Sequence, residues 1–445
     1  MTKAIPENIM HAIHDAGYHT LRPVQTQCIP LLLEGKSIAV QAHTGSGKTA
    51  AFLIPSLSMA NEDAQYPEVL ILSPTRELAL QTGNLAKQFS LYTRIHTAVC
   101  IGGIDIEKQI NALKMKPALV VGTPGRIVDL IHQGKLDLSK LKLLVMDEAD
   151  QLISTGQKKE TEEILSNIQC PRALFSATLK EEVLSFLPPD YEMVVLDEQK
   201  VSDNIKTWYI ETEDKQETLL EVLKHTDIQN CIIFVHYRST ASKLSSFLQK
   251  HHMLSSAFSS DKEEKERIRI LKDFEAGKIR ILCATDAAAR GLDLSHISHI
   301  IHYDPSIDEE TYIHRSGRSG HQGQDGAVIS LITKEDDSKT IRYIKEQSHP
   351  FPVSCAEQYD LSQPLKRKAE PEKHYTKLII KAGRNDKLRP KDIIGALCTM
   401  FAFEDIGTLE IQDHYSIVII KKNIALKESS LSIKGKKRKI ECAKY

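Results

Sequence analysis

At 445 residues the chain is too long for one ordinary domain, and a prior of about 150 residues per domain predicts three. Apolar residues make up 41% and charged residues 26%, which excludes a wholly disordered, collagen-like or small disulfide-stapled chain. The net charge of −1 hides an asymmetry: residues 375–445 carry 15 Lys+Arg against 8 Asp+Glu, a balance of +7, and the rest sums to −8. Such a basic end either meets a polyanion or is merely solvated, and charge alone does not separate the two.

No apolar run exceeds five residues, far short of the about 20 that a membrane span requires. Residues 1–15 lack the apolar core of a signal peptide. Eight cysteines are scattered without a CxxC pair, which fits reduced thiols in a cytoplasm and neither a zinc knuckle nor a disulfide framework. A cytoplasmic location is therefore expected.

In chain order, residues 37–41, 69–73, 119–122, 143–147 and 173–176 read as buried strands, and 77–88 and 126–132 as helices. Strand–helix alternation predicts an α/β domain with a parallel sheet covered on both faces. Residues 201–206 break the pattern and read as a linker. The alternation resumes with strands at 231–235, 279–285, 297–303 and 327–332 and helices at 239–250 and 262–276. A charged segment, 361–374, reads as a second linker, with Lys366-Arg367-Lys368 as a tether that grazes RNA or is simply solvated. Beyond it the rhythm changes: strand 377–382, helix 391–401, strands 408–412 and 416–421, a short helix from Asn423, and a strand near 437–442. This βαββαβ order is that of small RNA-recognition domains, an α+β superfold with many uses. The predicted domains are thus 1–200, 207–360 and 375–445.

Ala42-His43-Thr44-Gly45-Ser46-Gly47-Lys48-Thr49 follows a strand and opens a helix. Its glycines let backbone N–H groups turn toward phosphate oxygens, Lys48 reaches the β/γ-phosphates, and Thr49 ligates Mg²⁺. The apolar run 143–146 leads into Asp147-Glu148-Ala149-Asp150. In isolation these four residues would be an acidic turn. About 100 residues past a P-loop, Asp147 is a candidate Mg²⁺ holder and Glu148 a candidate activator of the attacking water.

These motifs, with Ser176-Ala177-Thr178, Pro74-Thr75-Arg76-Glu77-Leu78, Gly102-Gly103, Thr123-Pro124-Gly125-Arg126, Thr285 through Asp293, and His314-Arg315-Ser316-Gly317-Arg318, resemble the DEAD-box RNA helicases over residues 5–335. The resemblance implies two tandem RecA-like domains, with ATP held between them and single-stranded RNA crossing both. It implies that Gln25 reads adenine, Asp293 contacts the ribose, and Arg315 and Arg318 are arginine fingers. Ser176, Thr178 and His314 would couple the ATP and RNA sites. Thr75, Arg76, Gly103, Thr123, Arg126, Thr285 and Arg290 would contact RNA phosphates and 2′-hydroxyls. The chain departs from the family by lacking an aromatic residue upstream of Gln25. It also carries Ser259-Ser260 and Glu264 where a His-Gly pair and a Gln are usual, keeping Arg267, and it has His321 in place of a further Arg. A carboxylate at Glu264 would repel phosphate.

Residues 376–395, with the late Ile433-Lys434-Gly435-Lys436-Lys437-Arg438, resemble the C-terminal RNA-binding domain of the bacterial DbpA/YxiN group. That resemblance implies a 23S ribosomal RNA hairpin as partner and a role in large-subunit assembly. Read from the residues, the domain lacks the aromatic signature of a base-stacking platform. Basic loops are expected to read backbone shape, through Lys387 and Arg389 and through Lys436, Lys437 and Arg438. Tyr415 is equally an edge residue or a stacker, and Phe401 and Phe403 are expected in the core. Three functions stay open: a ribosome-assembly helicase, a general helicase of mRNA or other structured RNA, and a non-enzymatic clamp on a decayed core.

Overall fold

The computed structural model describes residues 5–42, 46–196, 205–289, 297–319, 325–336, 338–351, 360–365, 375–424, 426 and 430–442. Strands β1 (Ile38–Gln41), β2 (Val69–Leu72), β3 (Thr97–Cys100), β4 (Leu119–Gly122), β5 (Leu143–Met146), β6 (Arg172–Ser176) and β7 (Glu192–Val195) form one sheet, ordered β3-β4-β2-β5-β6-β1-β7. Every described pairing in it is parallel. Strands β2, β4 and β5 are buried at every residue, because helices cover both faces and leave no side for polar alternation.

The second sheet comprises β8 (Ile205–Glu211), β9 (Cys231–Val235), β10 (Ser255–Phe258), β11 (Ile281–Thr285), β12 (His299–His302), β13 (Gly326–Ile332) and β14 (His349–Pro350). Its order is β10-β11-β9-β12-β13-β8-β14, again parallel throughout its described pairings. Renumbered from its own first strand, this is the order of the first sheet. The two α/β domains are one RecA-like topology used twice, a repeat that the side chains conceal. The segment expected as a linker, 201–206, ends inside this sheet, since Ile205 and Lys206 pair with Gly326 and Ala327. At the far end Leu361 is buried in the second core, and the Gln363 carbonyl accepts from Arg280 Nη1 at 2.9 Å. The second domain therefore extends into the predicted 361–374 linker, whose residues 366–374 lie outside the described residues.

The C-terminal domain is a five-stranded antiparallel sheet of β15 (Thr376–Ile380), β16 (Ile406–Ile411), β17 (Ser416–Ile420), β18 (Ser430–Ile433) and β19 (Lys436–Cys442), ordered β16-β17-β15-β19-β18. Helix Pro390–Leu397 packs Ile393 and Leu397 into one core with Leu378, Ile380 and Val418. The expected second helix is corrected: Asn423 and Ile424 are not helical, and the Ile424 N–H donates to Thr376 Oγ1 at 2.9 Å. The chain instead turns back as the β18–β19 hairpin. Lys434 and Gly435 both take positive φ, 51° and 75°, as a two-residue hairpin turn demands.

The described residues form two compact units, one holding the first sheet together with the C-terminal domain, the other the second sheet. No helix among the described residues is long and apolar enough to cross a membrane.

Candidate nucleotide and RNA sites

In a parallel sheet all strands end on one edge, and loops leaving that edge build the site. The order of the first sheet divides its edge in two. β5, β6 and β1 are neighbours and lead into the acidic segment, Ser176–Thr178 and the P-loop. β3, β4 and β2 are neighbours and lead into Gly102–Gly103, Thr123–Arg126 and Thr75–Arg76. The phosphate-chemistry residues thus share one half of the edge and the expected RNA contacts share the other.

Within the phosphate half, His43, Thr44 and Gly45 lie outside the described residues, between Ala42 and Ser46. Gly47 caps helix Lys48–Met59 with φ 95°, and a Cβ there would stand 2.6 Å from Gln25 Nε2. Only glycine fits, on both backbone and steric grounds. Gln25 is buried; its Oε1 accepts the Arg22 N–H at 2.9 Å and its Nε2 donates to the Gly47 carbonyl at 3.2 Å. Each end of the amide keeps one further hydrogen-bonding position. Lys48 is buried with its Nζ 3.5 Å from Glu148 Oε1. Thr49 follows it, half-buried, in the first helical turn.

Glu148 takes the left-handed conformation, φ 48°, which for a side chain of this kind costs about 1–3 kcal/mol. The strain turns the chain sharply from β5 into helix Ala149–Ser154 and leaves the carboxylate where Gln151 Nε2 donates to it at 3.1 Å. Burial, and then the neighbouring Glu148, push the Asp147 carboxyl up to about 7 against the pull of Lys48. Asp150 is raised by the same two causes. Ser176 Oγ accepts the Asp150 N–H at 3.3 Å, and Thr178 Oγ1 donates to Asp150 Oδ2 at 3.4 Å. The expected coupling segment is therefore bonded directly to the acidic one.

On the RNA half, Thr75 caps helix Arg76–Phe89, its Oγ1 accepting the Leu78 N–H at 3.2 Å. The hydroxyl proton remains for an outside acceptor. Helix Pro124–His132 starts at the same edge after Thr123, so two helix N-termini present N–H groups where phosphates are expected. Arg126 Nη1 donates to the Ile104 carbonyl at 3.3 Å. Gln109, which sequence reasoning missed, clamps the Gly103 loop, accepting the Ile101 N–H at 3.0 Å and donating back to the Ile101 carbonyl at 2.8 Å. No local pattern marks a single helical Gln for that task.

In the second unit both expected fingers, Arg315 and Arg318, are buried. Arg315 is 2% exposed; its Nε and Nη2 bind both Asp286 oxygens at 2.6 and 2.7 Å, and its Nη1 donates to the Asp304 carbonyl at 2.8 Å. Its carbon also lies 5.0 Å over the Phe234 ring. A guanidinium committed on every side is a strut, which speaks against the finger expected at Arg315; Arg318 is also buried, at 6% exposed. His314 is half-buried one residue before it. Thr285 ends β11, and its buried Oγ1 has no hydrogen-bond partner among the described residues. Arg290, Asp293 and His321 lie outside the described residues. Ser259 is buried just past β10, and Arg267 stacks on Phe258 at 5.2 Å. Glu264 opens helix Glu264–Glu275, with its side chain outside the described residues.

In the C-terminal domain a cleft of about 460 Å³ is lined by Lys387, Leu388, Arg389, Lys391, Asp392 and Lys434, at the N-terminus of helix Pro390–Leu397. Two basic loops distant in sequence meet there. Lys434 Nζ is held by Asp392 Oδ2 and the Lys387 carbonyl, both at 2.8 Å. Arg438 turns inward to Asp386 at 2.8 Å, while Lys436 and Lys437 stay exposed. Phe401 packs on the domain core as expected. Phe403 does not: it is 51% exposed, with Arg94 of the first α/β domain 4.2 Å over one face of its ring. Tyr415 is exposed at a strand end.

Residues 22–186 match the DEAD/DEAH box helicase family, 214–323 the helicase conserved C-terminal domain, and 377–442 the DbpA RNA binding domain. The chain is 32% identical to the ATP-dependent RNA helicase DbpA of Bacillus subtilis, over 99% of this chain and 98% of that one. It is 32% identical to the DEAD-box ATP-dependent RNA helicase CshC of Bacillus cereus, over 78% and 90%. The solved structure of S. cerevisiae Dbp5 bound to RNA and ADP BeF3 matches with a TM-score of 0.69 at 28% identity, covering 78% of this chain and 93% of that one. With the same tripartite order and a full-length match, the chain belongs to the DEAD-box ATP-dependent RNA helicases, of the DbpA-like bacterial type.

Proposed function

We propose that this helicase acts on 23S ribosomal RNA during large-subunit assembly, addressed to a hairpin by its C-terminal domain. The observation that carries an RNA address is the cleft of about 460 Å³ where Lys387, Arg389, Lys391 and Lys434 gather positive charge beside the N-terminus of helix Pro390–Leu397. The choice of ribosomal hairpin rests on the resemblance to the DbpA/YxiN group.

Hydrolysis is assigned to the phosphate half. Lys48 neutralises the β/γ-phosphate oxygens, and Glu148, aimed by Gln151, takes a proton from the attacking water. The water oxygen bonds the γ-phosphorus as the bond to the ADP oxygen breaks. Arg318 is assigned the charge on the transferring phosphoryl group. Asp147 and Thr49 fit Mg²⁺: a buried carboxylate raised by desolvation gains from a cation, and among the described residues no cluster of three or more acidic, His or Cys ligands competes for it. Bound there with ATP, the ion would supply Lewis-acid stabilisation of the phosphate oxygens.

Steady-state ATPase is measured without RNA, with generic RNA, and with a fragment holding the peptidyl-transferase-region hairpin of 23S RNA. Stimulation by the ribosomal fragment alone is expected. Equal stimulation by both RNAs would make the chain a general helicase with a basic tether. No stimulation by either would make it a clamp.

A further inference from the structure

The C-terminal domain meets the first RecA-like domain along a seam. Its centre is β16, the edge strand of the five-stranded sheet. The β16–β17 register shifts between Ile406 and Leu409, and this irregularity brings Gly407 and Thr408 against Ser90 and Leu91. Those residues follow helix Arg76–Phe89, where helical carbonyls lack intrahelical partners.

The Thr408 N–H donates to the Leu91 carbonyl at 3.2 Å. Its Oγ1 lies 2.9, 3.1 and 3.2 Å from the carbonyl oxygens of Ser90, Leu91 and Thr93. A hydroxyl has one proton to give, so this nest of acceptors admits a donor and nothing larger. A Cβ at Gly407 would stand 2.7 Å from the Leu91 carbonyl oxygen, a distance that excludes any side chain. Flanking contacts are of three kinds. Lys87 pairs with Glu410 at 3.1 Å, Arg94 stacks over Phe403 at 4.2 Å, and Met115 packs on the C-terminal domain's own core. A backbone N–H and a hydroxyl donor, a matched ion pair, a cation–π contact and an apolar plug on one strip are the signature of a fitted interface.

We propose that this seam is a specific intramolecular docking surface that holds RNA bound by the C-terminal domain at a fixed offset from the RNA edge of the first RecA-like domain. Helix Arg76–Phe89 is the link: its N-terminus carries Thr75 and Arg76, and the seam grips its other end. A docked address raises the effective concentration of an adjoining duplex at the core, where a slack tether dilutes it. The seam itself is independent of the proposed RNA address, while the delivery role rests on it.

Hydrogen exchange on the full chain without RNA tests the seam. Gly407→Val and, on the opposite face, Lys87→Glu are each expected to speed exchange about tenfold in peptides covering 90–94 and 406–411. Protection of β17 stays unchanged, which shows that the domain remains folded. Adding Glu410→Lys to Lys87→Glu restores protection. Unchanged exchange in both variants, or no restoration by the charge swap, overturns the seam. For delivery, Gly407→Val is expected to raise about tenfold the half-saturating concentration of a duplex joined to the hairpin, with kcat at saturation kept. An unchanged half-saturation overturns the delivery role. Loss of all RNA stimulation in the unaltered chain would strike the proposed function and leave the seam standing.

Discussion

Replacing Arg315 by alanine separates a strut from a phosphate finger. The substitution leaves the Asp286 carboxylate without its bidentate partner, the Asp304 carbonyl without a donor, and the Phe234 face without its cation. Breaking a buried ion pair costs about 3–5 kcal/mol. Asp286 is 21% exposed, so water recovers part of the loss and the lower end, about 3 kcal/mol, applies. For a domain of this size that lowers Tm by about 6–12 °C. The chain has one tryptophan, Trp208, which packs on the second core with Phe351 5.7 Å away, so its fluorescence follows the second unit selectively. Urea and thermal unfolding read by Trp208 measure the effect. Arg315→Met combined with Asp286→Leu is expected to recover most of the stability, because both polar partners leave together. An Arg315→Ala chain with the original transition but a collapsed kcat would refute the strut.

Glu148→Gln is expected to abolish steady-state hydrolysis while RNA binding with ATP persists, and normal turnover would remove the proton-accepting role. Gln25→Ala should raise KM for ATP about tenfold and narrow its preference over GTP, since it removes the amide that Arg22 and Gly47 hold in place and that is assigned to the adenine edge; nucleotide competition measures it. Asp147 gives a pH dependence of defined sign. With its folded value near 7 against an ordinary 3.8, the folded protein holds more protons between those values. This group's contribution to stability is complete below 3.8, declines as pH rises, and is gone above 7. Nucleotide with Mg²⁺ should consequently raise Tm more at about pH 8 than at about pH 5.5, as protons no longer compete for the carboxylate. Calorimetry of Asp147→Asn showing the same pH dependence would contradict this. Replacing Lys387 and Arg389 by alanine should lower the salt slope of RNA binding by about 2, one per lost phosphate contact.

Chemistry was legible wherever it is written locally. The P-loop, the acidic segment after β5 and the strand–helix alternation each depend on neighbours in sequence, and the structure places them at strand ends as that logic requires. Strand positions followed because fully covered parallel strands are apolar runs. The errors came where the deciding partner is remote. Arg315 and Arg318 sit three residues apart and look alike; only Asp286, 29 positions away, makes the first a strut. Phe403 looked like core because it is aromatic beside Phe401, but it lies 51% exposed, and the side chain that stacks on it, Arg94, belongs to another domain. The helix expected from Asn423 gave way to a hairpin fixed by two positive φ angles at Lys434 and Gly435.

The sequence by itself determined that this chain carries a phosphate-binding loop, two α/β domains and a basic C-terminal domain, since glycine conformations, charge and apolar period act over a few residues. Tertiary structure alone decided the shared strand order of the two sheets and the placing of the expected phosphate and RNA residues on separate halves of the first edge. It also decided the union of two basic loops in one cleft and the seam at Gly407 and Thr408. Each of these depends on which surfaces meet once apolar faces are buried, and that is a property of the packed chain as a whole.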